Sequence, residues 1–133
     1  MRSSVRVVLL VALLCACAAK VQPGALEPVV TERLYFGRNV GSTLGVTDSA
    51  WAVFVREVIG VQLPDGFTYW SAEGAWRGSD GRSIREPSFV LEVVHPERST
   101  RADSAMTVII AEYKRRFRQE SVLRVVTPGR GSF

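Results

Sequence analysis

The sequence predicts an α+β domain in which a four-stranded antiparallel sheet carries two helices on one face. Three observations support this prediction. The segments follow the order β-α-β-β-α-β, each helical segment shows a single apolar stripe, and the strand segments are short and rich in β-branched and aromatic residues. With right-handed crossovers, this order gives the split βαβ arrangement of the ferredoxin-like class.

The first half of the predicted domain contains one strand and one helix. Residues 29–36 (VVTERLYF) predict the strand, and the glycine-containing residues 37–46 predict a loop. Thr47 or Asp48 can cap the helix that follows, and Gly60 permits its end. The apolar stripe of the helix has the spacing i, i+3, i+4, i+7, i+8 and comprises Trp51, Phe54, Val55, Val58 and Ile59.

The next predicted unit is a β-hairpin. Residues 67–77 and 84–95 are its strands, and Ser79-Asp80-Gly81-Arg82 supplies the tight turn. Pro87 cannot donate a ladder hydrogen bond, so a bulge or a late strand start is expected near it. His95-Pro96 is expected to end the second strand.

A second helix and a last strand complete the predicted domain. Ser99 or Thr100 can cap the helix, and residues 121–127 (SVLRVVT) predict the strand, which is followed by a tail containing Pro and Gly. The helix stripe comprises Ala102, Ala105 or Met106, Ile109, Ile110, Tyr113 and Phe117.

Composition limits the classes of function that the chain can serve. Its length of 133 residues suits a single domain. Its hydrophobic content of 47% excludes a disordered polypeptide. The formal charge of +4 raises nucleic acid or an acidic membrane as partners. Two cysteines are too few for a disulfide-dense scaffold or a four-thiolate metal site, and a single histidine argues against histidine-rich metal ligation. No metal or cofactor is therefore expected.

The N-terminus has the pattern of a bacterial export signal. Arg2 and Arg6 precede an apolar run of eight residues, 7–14 (VVLLVALL), which is too short to span a bilayer. Leu14-Cys15-Ala16-Cys17 resembles a lipobox, in which diacylglycerol is attached to the thiol of Cys17 before cleavage in front of it. Cys17 is therefore the predicted lipidation site, and a membrane is the predicted partner of the lipid.

A lipoprotein signal divides the chain into a signal peptide over residues 1–16, a lipid-anchored flexible tether over 17–28 and a single domain over 29–133. Ordinary cleavage after Ala16-Cys17-Ala18 would instead release a soluble secreted protein, and an uncleaved anchor is a further alternative. The preferred location is the periplasmic side of the bacterial envelope, at the outer membrane if the host has two membranes. Outside the cytoplasm nucleic acid is not an expected partner. Removal of residues 1–16 also leaves 15 of the 17 basic residues against 13 acidic ones.

Strand alternation separates the two faces of the predicted sheet. The residues expected to face the helices include Leu34, Phe36, Phe89, Leu91, Val93, Leu123 and Val125. The outward face should carry a candidate interface formed by Arg33, Tyr35, Val90, Glu92, Val94, Val122, Arg124 and Val126. A contiguous apolar surface of this kind indicates self-association, a face covered by the chain's own ends or a groove for a small molecule. Strand propensity by itself is the alternative explanation of the valines.

Candidate catalytic groups are few. His95 lies at a strand end, where a single histidine is more often a structural hydrogen-bonding residue than a general base. Glu73, Arg77, Arg85 and Glu86 cluster on the predicted hairpin, where paired carboxylates could do acid–base chemistry if they were buried. Interleaved arginines on a hairpin more often form exposed ion pairs.

Five motifs in a fixed order resemble a known bacterial family. They are Arg33-Leu34-Tyr35-Phe36-Gly37, Leu63-Pro64-Asp65-Gly66-Phe67-Thr68, Gly74-Ala75-Trp76-Arg77, Arg85-Glu86-Pro87-Ser88 and Gln119-Glu120-Ser121-Val122-Leu123-Arg124. Together they span about residues 30–133 and resemble the bacterial domain of unknown function 3574 family. The resemblance implies a small exported protein or lipoprotein and carries over no catalytic residue. It also implies a shared hairpin surface, to which His95 is added, so that the candidate functional surface comprises Trp76, Arg77, Arg85, Glu86, Pro87 and His95.

These observations favour a lipid-anchored cell-envelope protein that binds a ligand or a protein without catalysis, either as a homodimer or with another envelope protein. The rival hypothesis is a small periplasmic enzyme with a site at the hairpin, formed by Glu73, Arg85, Glu86 and His95. A purely structural envelope spacer is the third hypothesis.

Overall fold

The computed structural model of the protein describes residues 24–77 and 80–133. The predicted signal peptide over residues 1–16, the predicted lipidation site Cys17 and the predicted tether as far as residue 23 lie outside the described residues. Ser79 of the predicted hairpin turn lies outside them as well.

The described residues form one large sheet, one small sheet and one layer of helices on a single face of the large sheet. In chain order the elements are β1 (Glu27–Gly37), β2 (Asn39–Val40), β3 (Thr43–Leu44), α1 (Asp48–Phe54), a π-helical segment (Val55–Ile59), α2 (Gly60–Gln62), β4 (Thr68–Arg77), β5 (Ser83–Pro96), α3 (Thr100–Phe117) and β6 (Leu123–Gly131). The four long strands pair antiparallel in the order β4-β5-β1-β6, and β2 pairs with β3. The predicted α+β class, with a four-stranded antiparallel sheet and two helices, is therefore confirmed.

Several boundaries differ from the predictions. Strand β1 begins at Glu27, two residues inside the predicted tether, and the first helix continues to Gln62 because Gly60 keeps a helical φ of −63°. Strand β6 extends through Pro128 to Gly131. Proline is accepted there because β6 is an edge strand, paired only with β1 in the described sheet, so the missing N–H leaves no second neighbour without a donor.

Side-chain hydroxyls cap the N-termini of α1 and α3. The Thr47 side chain accepts a hydrogen bond from the backbone N–H of Ala50 at 3.2 Å, and the Ser99 side chain accepts one from Ala102 at 3.3 Å. These contacts satisfy amide donors that have no partner within the helix. Because Ser99 follows the end of β5 by only three residues, α3 begins directly beside that end of the sheet.

Aromatic residues fill the core between the sheet and both helices. The Trp51 ring stacks on Phe89 with centroids 4.3 Å apart, and the Phe36 ring lies 4.6 Å from Tyr113 and 6.3 Å from Phe54. All five side chains are buried. Because α1 supplies Trp51 and Phe54 and α3 supplies Tyr113, both helices cover the same face of the sheet. The predicted helix stripes and the predicted inward residues of β1 and β5 are confirmed.

The predicted orientation of β6 is wrong. Leu34, which points into the core, pairs with Arg124, so Arg124 and Val126 lie on the helix-facing side. Val122, which precedes β6, packs against the core, while Leu123 is 60% exposed. The prediction failed because aliphatic residues occupy both alternating positions of this strand, so the pattern does not distinguish its two faces. A charged residue such as Arg124 ordinarily faces solvent.

Candidate functional site

A cleft of about 470 Å³ opens where α3 begins beside β1, β5 and β6. Small-molecule sites in proteins have volumes of this order. The lining combines charged groups with two valines and comprises Val30, Glu32, His95, Glu97, Ser99, Asp103, Arg124 and Val126. We call it the charged cleft.

Glu32 forms the floor of the charged cleft. It is 3% exposed and is the one buried charged residue among those the structure describes. One carboxylate oxygen accepts a hydrogen bond from His95 Nε2 at 3.0 Å, and the other accepts one from Arg124 Nε at 2.5 Å. Removing a carboxylate from water is costly unless charged donors replace the water. The two contacts therefore hold Glu32 in a single orientation.

Arg124 joins the floor of the cleft to the first turns of α3. Its terminal nitrogen donates to Asp103 Oδ1 at 2.7 Å while its Nε donates to Glu32. The hydrogen bond to Glu32, with a smaller contribution from the bond to Asp103, raises the pKa of the Arg124 guanidinium above its ordinary value. The guanidinium therefore remains charged and ties β1, β6 and α3 together.

His95 has both ring nitrogens engaged. Nδ1 lies 2.9 Å from the backbone carbonyl oxygen of Pro96, and Nε2 lies 3.0 Å from Glu32. A carbonyl oxygen and a carboxylate oxygen are both acceptors, so both ring nitrogens face oxygen atoms of the protein. A general base needs a nitrogen directed at the substrate. The arrangement thus fits a positioning role for His95 better than proton abstraction.

A second cleft of about 280 Å³ lies on the other side of His95, between β5, the start of α3 and the chain end at Phe133. Its wall is mainly apolar and includes Leu63, Pro64, Val93, Pro96, Ala102 and Phe133. His95 therefore separates a charged cleft from an apolar one.

The proposed four-residue enzyme site is not assembled. Glu73 and Arg85 form an exposed pair at 3.2 Å, whereas Glu86 points to the opposite face of the hairpin. His95 lies nine residues farther along β5 than Glu86, roughly 30 Å away at ~3.3 Å per residue. The separation of Glu86 and His95 follows from strand length alone, so the hypothesis of one shared site overlooked the reach of an extended strand. Glu73, Arg85, Glu86 and His95 therefore cannot act on one small substrate.

The remaining hairpin residues of the predicted surface are exposed. Trp76 is exposed, Pro87 is paired opposite Glu73, and the Arg77 guanidinium donates to the backbone carbonyl of Gly81 at 3.0 Å. The predicted surface therefore divides into an exposed hairpin end and His95 at the charged cleft.

Glu86 has a structural contact of its own. Its carboxylate accepts a hydrogen bond from the backbone N–H of Asn39 at 2.9 Å. It lies so close to Gly37 that a Cβ at that position would stand 2.7 Å from the carboxylate oxygen. A side chain at position 37 would therefore displace the Glu86 carboxylate from its hydrogen bond to Asn39.

The sheet face away from the helices remains apolar, although its membership differs from the prediction. Arg33, Tyr35, Val90, Glu92 and Val94 have the predicted orientation, although Val90 is buried at 2% exposure. Leu123 and Val125 take the places assigned to Val122, Arg124 and Val126. Strand β4 adds Trp70, which pairs opposite Val90. We define the open face as Arg33, Tyr35, Trp70, Val90, Glu92, Val94, Leu123 and Val125.

Sequence reasoning missed Glu32 and Asp103 as members of a site. The signal for Glu32 was present, because it occupies an inward position between Val30 and Leu34 on a strand whose other inward residues are apolar. Asp103 lies in the first turn of α3, where an acidic residue is expected for helix stability, so its position in the sequence gives no separate signal of a site. Its partnership with Arg124 depends on the pairing of β6 with β1, which the sequence pattern had placed in the wrong orientation.

The protein is thus a small α+β domain with a polar cleft at the start of α3. The chain belongs to the family described as protein of unknown function DUF3574, whose model matches residues 31–133. The predicted family membership is therefore confirmed. A search among curated proteins returns no match.

Solved structures share the fold. The chain is similar to a phage SAM lyase in complex with S-methyl-5'-thioadenosine, with a TM-score of 0.58, 16% identity and coverage of 79% of this chain and 90% of that one. It is also similar to a phage SAM lyase in the apo state, with a TM-score of 0.56, 16% identity and coverage of 86% and 94%. At this identity the likeness concerns the fold.

Two features are absent from residues 24–77 and 80–133, a membrane-spanning helix and a metal-binding group. No helix in these ranges is long and apolar enough to cross a membrane. Within the same ranges, no group of three or more His, Cys, Asp or Glu side chains is placed to hold a metal ion.

Proposed function

We propose that the protein is an exported, lipid-anchored domain of the bacterial envelope that binds a small polar ligand in the charged cleft without transforming it. The domain is assigned to the ferredoxin-like class, because its path is β-α-β-β-α-β and each pair of neighbouring long strands is antiparallel. The lipid at Cys17 and the tether place the domain beside the membrane in this proposal.

The buried carboxylate of Glu32 is the observation that carries the binding proposal. A buried carboxylate held by Arg124 and His95 at the bottom of an open cleft is costly for a small domain to maintain. Its fixed orientation suits recognition, because a ligand then binds to groups that need no rearrangement. The valines at positions 30 and 126 supply apolar contact beside the charges.

Catalysis is the second candidate, favoured by the likeness to phage SAM lyase. The fold is compatible with an enzyme, but folds of this kind host unrelated functions. In this chain the nitrogens of His95 are both occupied by oxygen acceptors, which favours binding without reaction.

Retention of small molecules by the purified protein distinguishes the candidates. The full chain is incubated with a bacterial metabolite extract and, separately, with SAM or S-methyl-5'-thioadenosine, and retained compounds are identified by mass spectrometry. Val126→Trp fills the cleft, whereas Val108→Trp makes the same change on the exposed side of α3. We expect a compound of unchanged mass retained by the wild type and by Val108→Trp but lost from Val126→Trp. Equal retention by all three proteins contradicts the binding site, and conversion of an added compound supports the enzyme.

The lipid anchor is tested by a matched pair of cysteine substitutions. Cys17→Ser removes the proposed acceptor thiol, and Cys15→Ser changes a cysteine two residues away. We expect Cys17→Ser to abolish incorporation of labelled fatty acid and to remove the protein from the membrane fraction that detergent extracts. Cys15→Ser should behave as wild type in both measurements. Labelling that persists in Cys17→Ser excludes this anchor.

A further inference from the structure

We propose that the charged cleft selects a small organic cation, whose positive group faces Glu97 and Asp103 and whose apolar part lies against Val30 and Val126. This inference rests on the proposed function, because it names the class of molecule that the cleft binds. The cleft is a cavity with both charged and apolar walls, so the charge and the character of its ligand can each be derived from the residues that line it.

The charges that line the cleft do not cancel. Three carboxylates, those of Glu32, Glu97 and Asp103, face the single guanidinium of Arg124. Three negative charges and one positive charge leave two negative charges when His95 is neutral and one when it is protonated. The cleft is therefore negative in either protonation state of His95. A negative cleft raises the local concentration of cations and disfavours anions.

The start of α3 acts in the opposite direction but is weaker. The free N–H groups at the first turn of a helix are equivalent to roughly +0.5 of an elementary charge, which favours anions. Asp103 places a full negative charge in that same turn, and the Ser99 hydroxyl already accepts a hydrogen bond from the N–H of Ala102. The helix end therefore reduces the negative charge of the cleft without reversing it.

The uncompensated negative charge lies on the two outer carboxylates. Both oxygens of Glu32 are occupied, one by His95 and the other by Arg124. Asp103 is mostly exposed and uses only Oδ1 in its contact with Arg124. Glu97 is exposed and forms no ion pair within the part of the chain that the structure describes. An incoming positive group therefore meets Glu97 and Asp103 as free acceptors.

The apolar walls favour an organic cation over a metal ion. Divalent metal ions need several oxygen ligands, whereas the oxygens of Glu32 are already engaged and the hydrocarbon of Val30 and Val126 supplies none. An ammonium group donates up to three hydrogen bonds to carboxylates, and an alkyl group attached to it gains free energy by contact with the valines. The ligand class is therefore an alkyl ammonium ion.

Competition among three probes with the same alkyl group tests the sign of the charge. The full chain is dialysed to equilibrium against an equimolar mixture of isoamylamine, isoamyl alcohol and isocaproate, and mass spectrometry measures the excess of each on the protein side. We expect the amine to exceed both other probes by at least about fivefold. This excess should be lost in Val126→Trp and kept in Val108→Trp.

The possible failures of this experiment are distinct from failure of the proposed function. Equal retention of the three probes, an excess of the alcohol or the carboxylate, or no retention at all overturns the cation. Retention of the amine by Val126→Trp overturns the cleft as its site. The metabolite extract tests binding of any compound irrespective of its charge. A compound retained there through the cleft therefore keeps the proposed function even when this inference fails.

A matched pair of neutralising substitutions tests the acceptor. Glu97→Gln removes one exposed charge at the cleft, whereas Glu120→Gln removes one exposed charge beyond the far end of α3. We expect Glu97→Gln to weaken binding of isoamylamine by about threefold to fivefold, since a single exposed charge contact is worth little more. Glu120→Gln should bind as wild type. An unchanged affinity in Glu97→Gln, or an equal loss in both variants, contradicts the contact with Glu97.

Discussion

Two ends of the helix-facing side of the sheet use the same elements for opposite chemistry. At one end β1, β5 and α3 contribute Phe36, Phe89 and Tyr113 to an aromatic cluster. At the other end the same three elements contribute Glu32, His95 and Asp103 to the charged cleft. Phe36 and Glu32 are only four residues apart, which is about 13 Å along the strand.

Burial of side chains affects the stability of the fold differently at the two ends. Aromatic side chains gain free energy on leaving water and again from tilted and stacked ring contacts. A buried carboxylate loses its hydration, and its ion pairs only roughly compensate for this loss. The aromatic end therefore stabilises the fold, whereas the charged end is expected to be retained for recognition. The predictions below test that division.

The largest effect is expected at the aromatic end. Phe36→Ala removes a ring that contacts Trp51, Phe54 and Tyr113 and leaves a cavity that the rigid sheet cannot close. The free energy of unfolding should fall by about 3–5 kcal/mol. Urea unfolding followed by tryptophan fluorescence measures the change. Val108→Ala on the exposed side of α3 should change stability by less than about 0.5 kcal/mol. A loss below about 1 kcal/mol for Phe36→Ala contradicts the aromatic end as the stabilising region.

A smaller loss is expected when the charged end loses one charge. Glu32→Gln leaves Arg124 and His95 without their shared carboxylate, although Arg124 keeps Asp103. The free energy of unfolding should fall by about 2–3 kcal/mol, because hydrogen bonds to a charged acceptor are lost while the amide oxygen of Gln remains as an acceptor. Replacing all three of Glu32, His95 and Arg124 by Leu should recover most of this loss while abolishing retention of the ligand. A triple variant as unstable as Glu32→Gln would show that the charged end also serves stability.

A loss of about 1 kcal/mol is expected when the side-chain hydrogen bond of Tyr113 is removed. The Tyr113 hydroxyl donates to the backbone carbonyl of Gly37 at 2.8 Å, and Tyr113→Phe removes that donor while keeping the ring. Chemical unfolding of the two proteins at neutral pH measures the difference.

Tyr113 also predicts a pH dependence. Burial raises the pKa of the Tyr113 phenol above its ordinary value of 10.0. Below pH 10 the phenol is neutral in both folded and unfolded chains, and its contribution to stability is complete. As pH rises above 10, the unfolded chain ionises first and the folded state loses stability. Unfolding measured from pH 9 to 11 should show a steeper alkaline loss for wild type than for Tyr113→Phe. Equal slopes contradict burial of the hydroxyl.

The smallest effect belongs to an exposed ion-pair group on α3, outside both ends. Hydrogen bonds from Arg115 and Arg116 lower the pKa of the Glu112 carboxyl to about 2. A depressed pKa favours the folded state above the unfolded value of 4.5, and this contribution is lost as pH falls towards 2. An NMR titration should find the Glu112 pKa near this value and an upward shift in Arg115→Ala. An unchanged pKa in that variant excludes Arg115 as the cause. Because the group is exposed, neutral-pH stability should hardly change.

Much of the aromatic end could be predicted from the sequence. Alternation in β1 and β5 assigned Phe36, Phe89, Leu91 and Val93 to the core, and helical spacing assigned Tyr113 to the buried stripe. These patterns are local, because a side chain's direction follows from its position in a strand or helix. The charged end was harder to predict, since its residues come from strands and a helix that are far apart in the chain.

The sequence by itself determined the family, the element order, the two-helix layer and most of the core, because hydrophobic periodicity acts within each segment. Only the tertiary structure decided that Arg124 points inwards and that Glu32 is buried beneath it. Strand register supplies the reason. A charged side chain can face the interior when a partner of opposite charge waits on the neighbouring strand, and that pairing is a property of the assembled sheet.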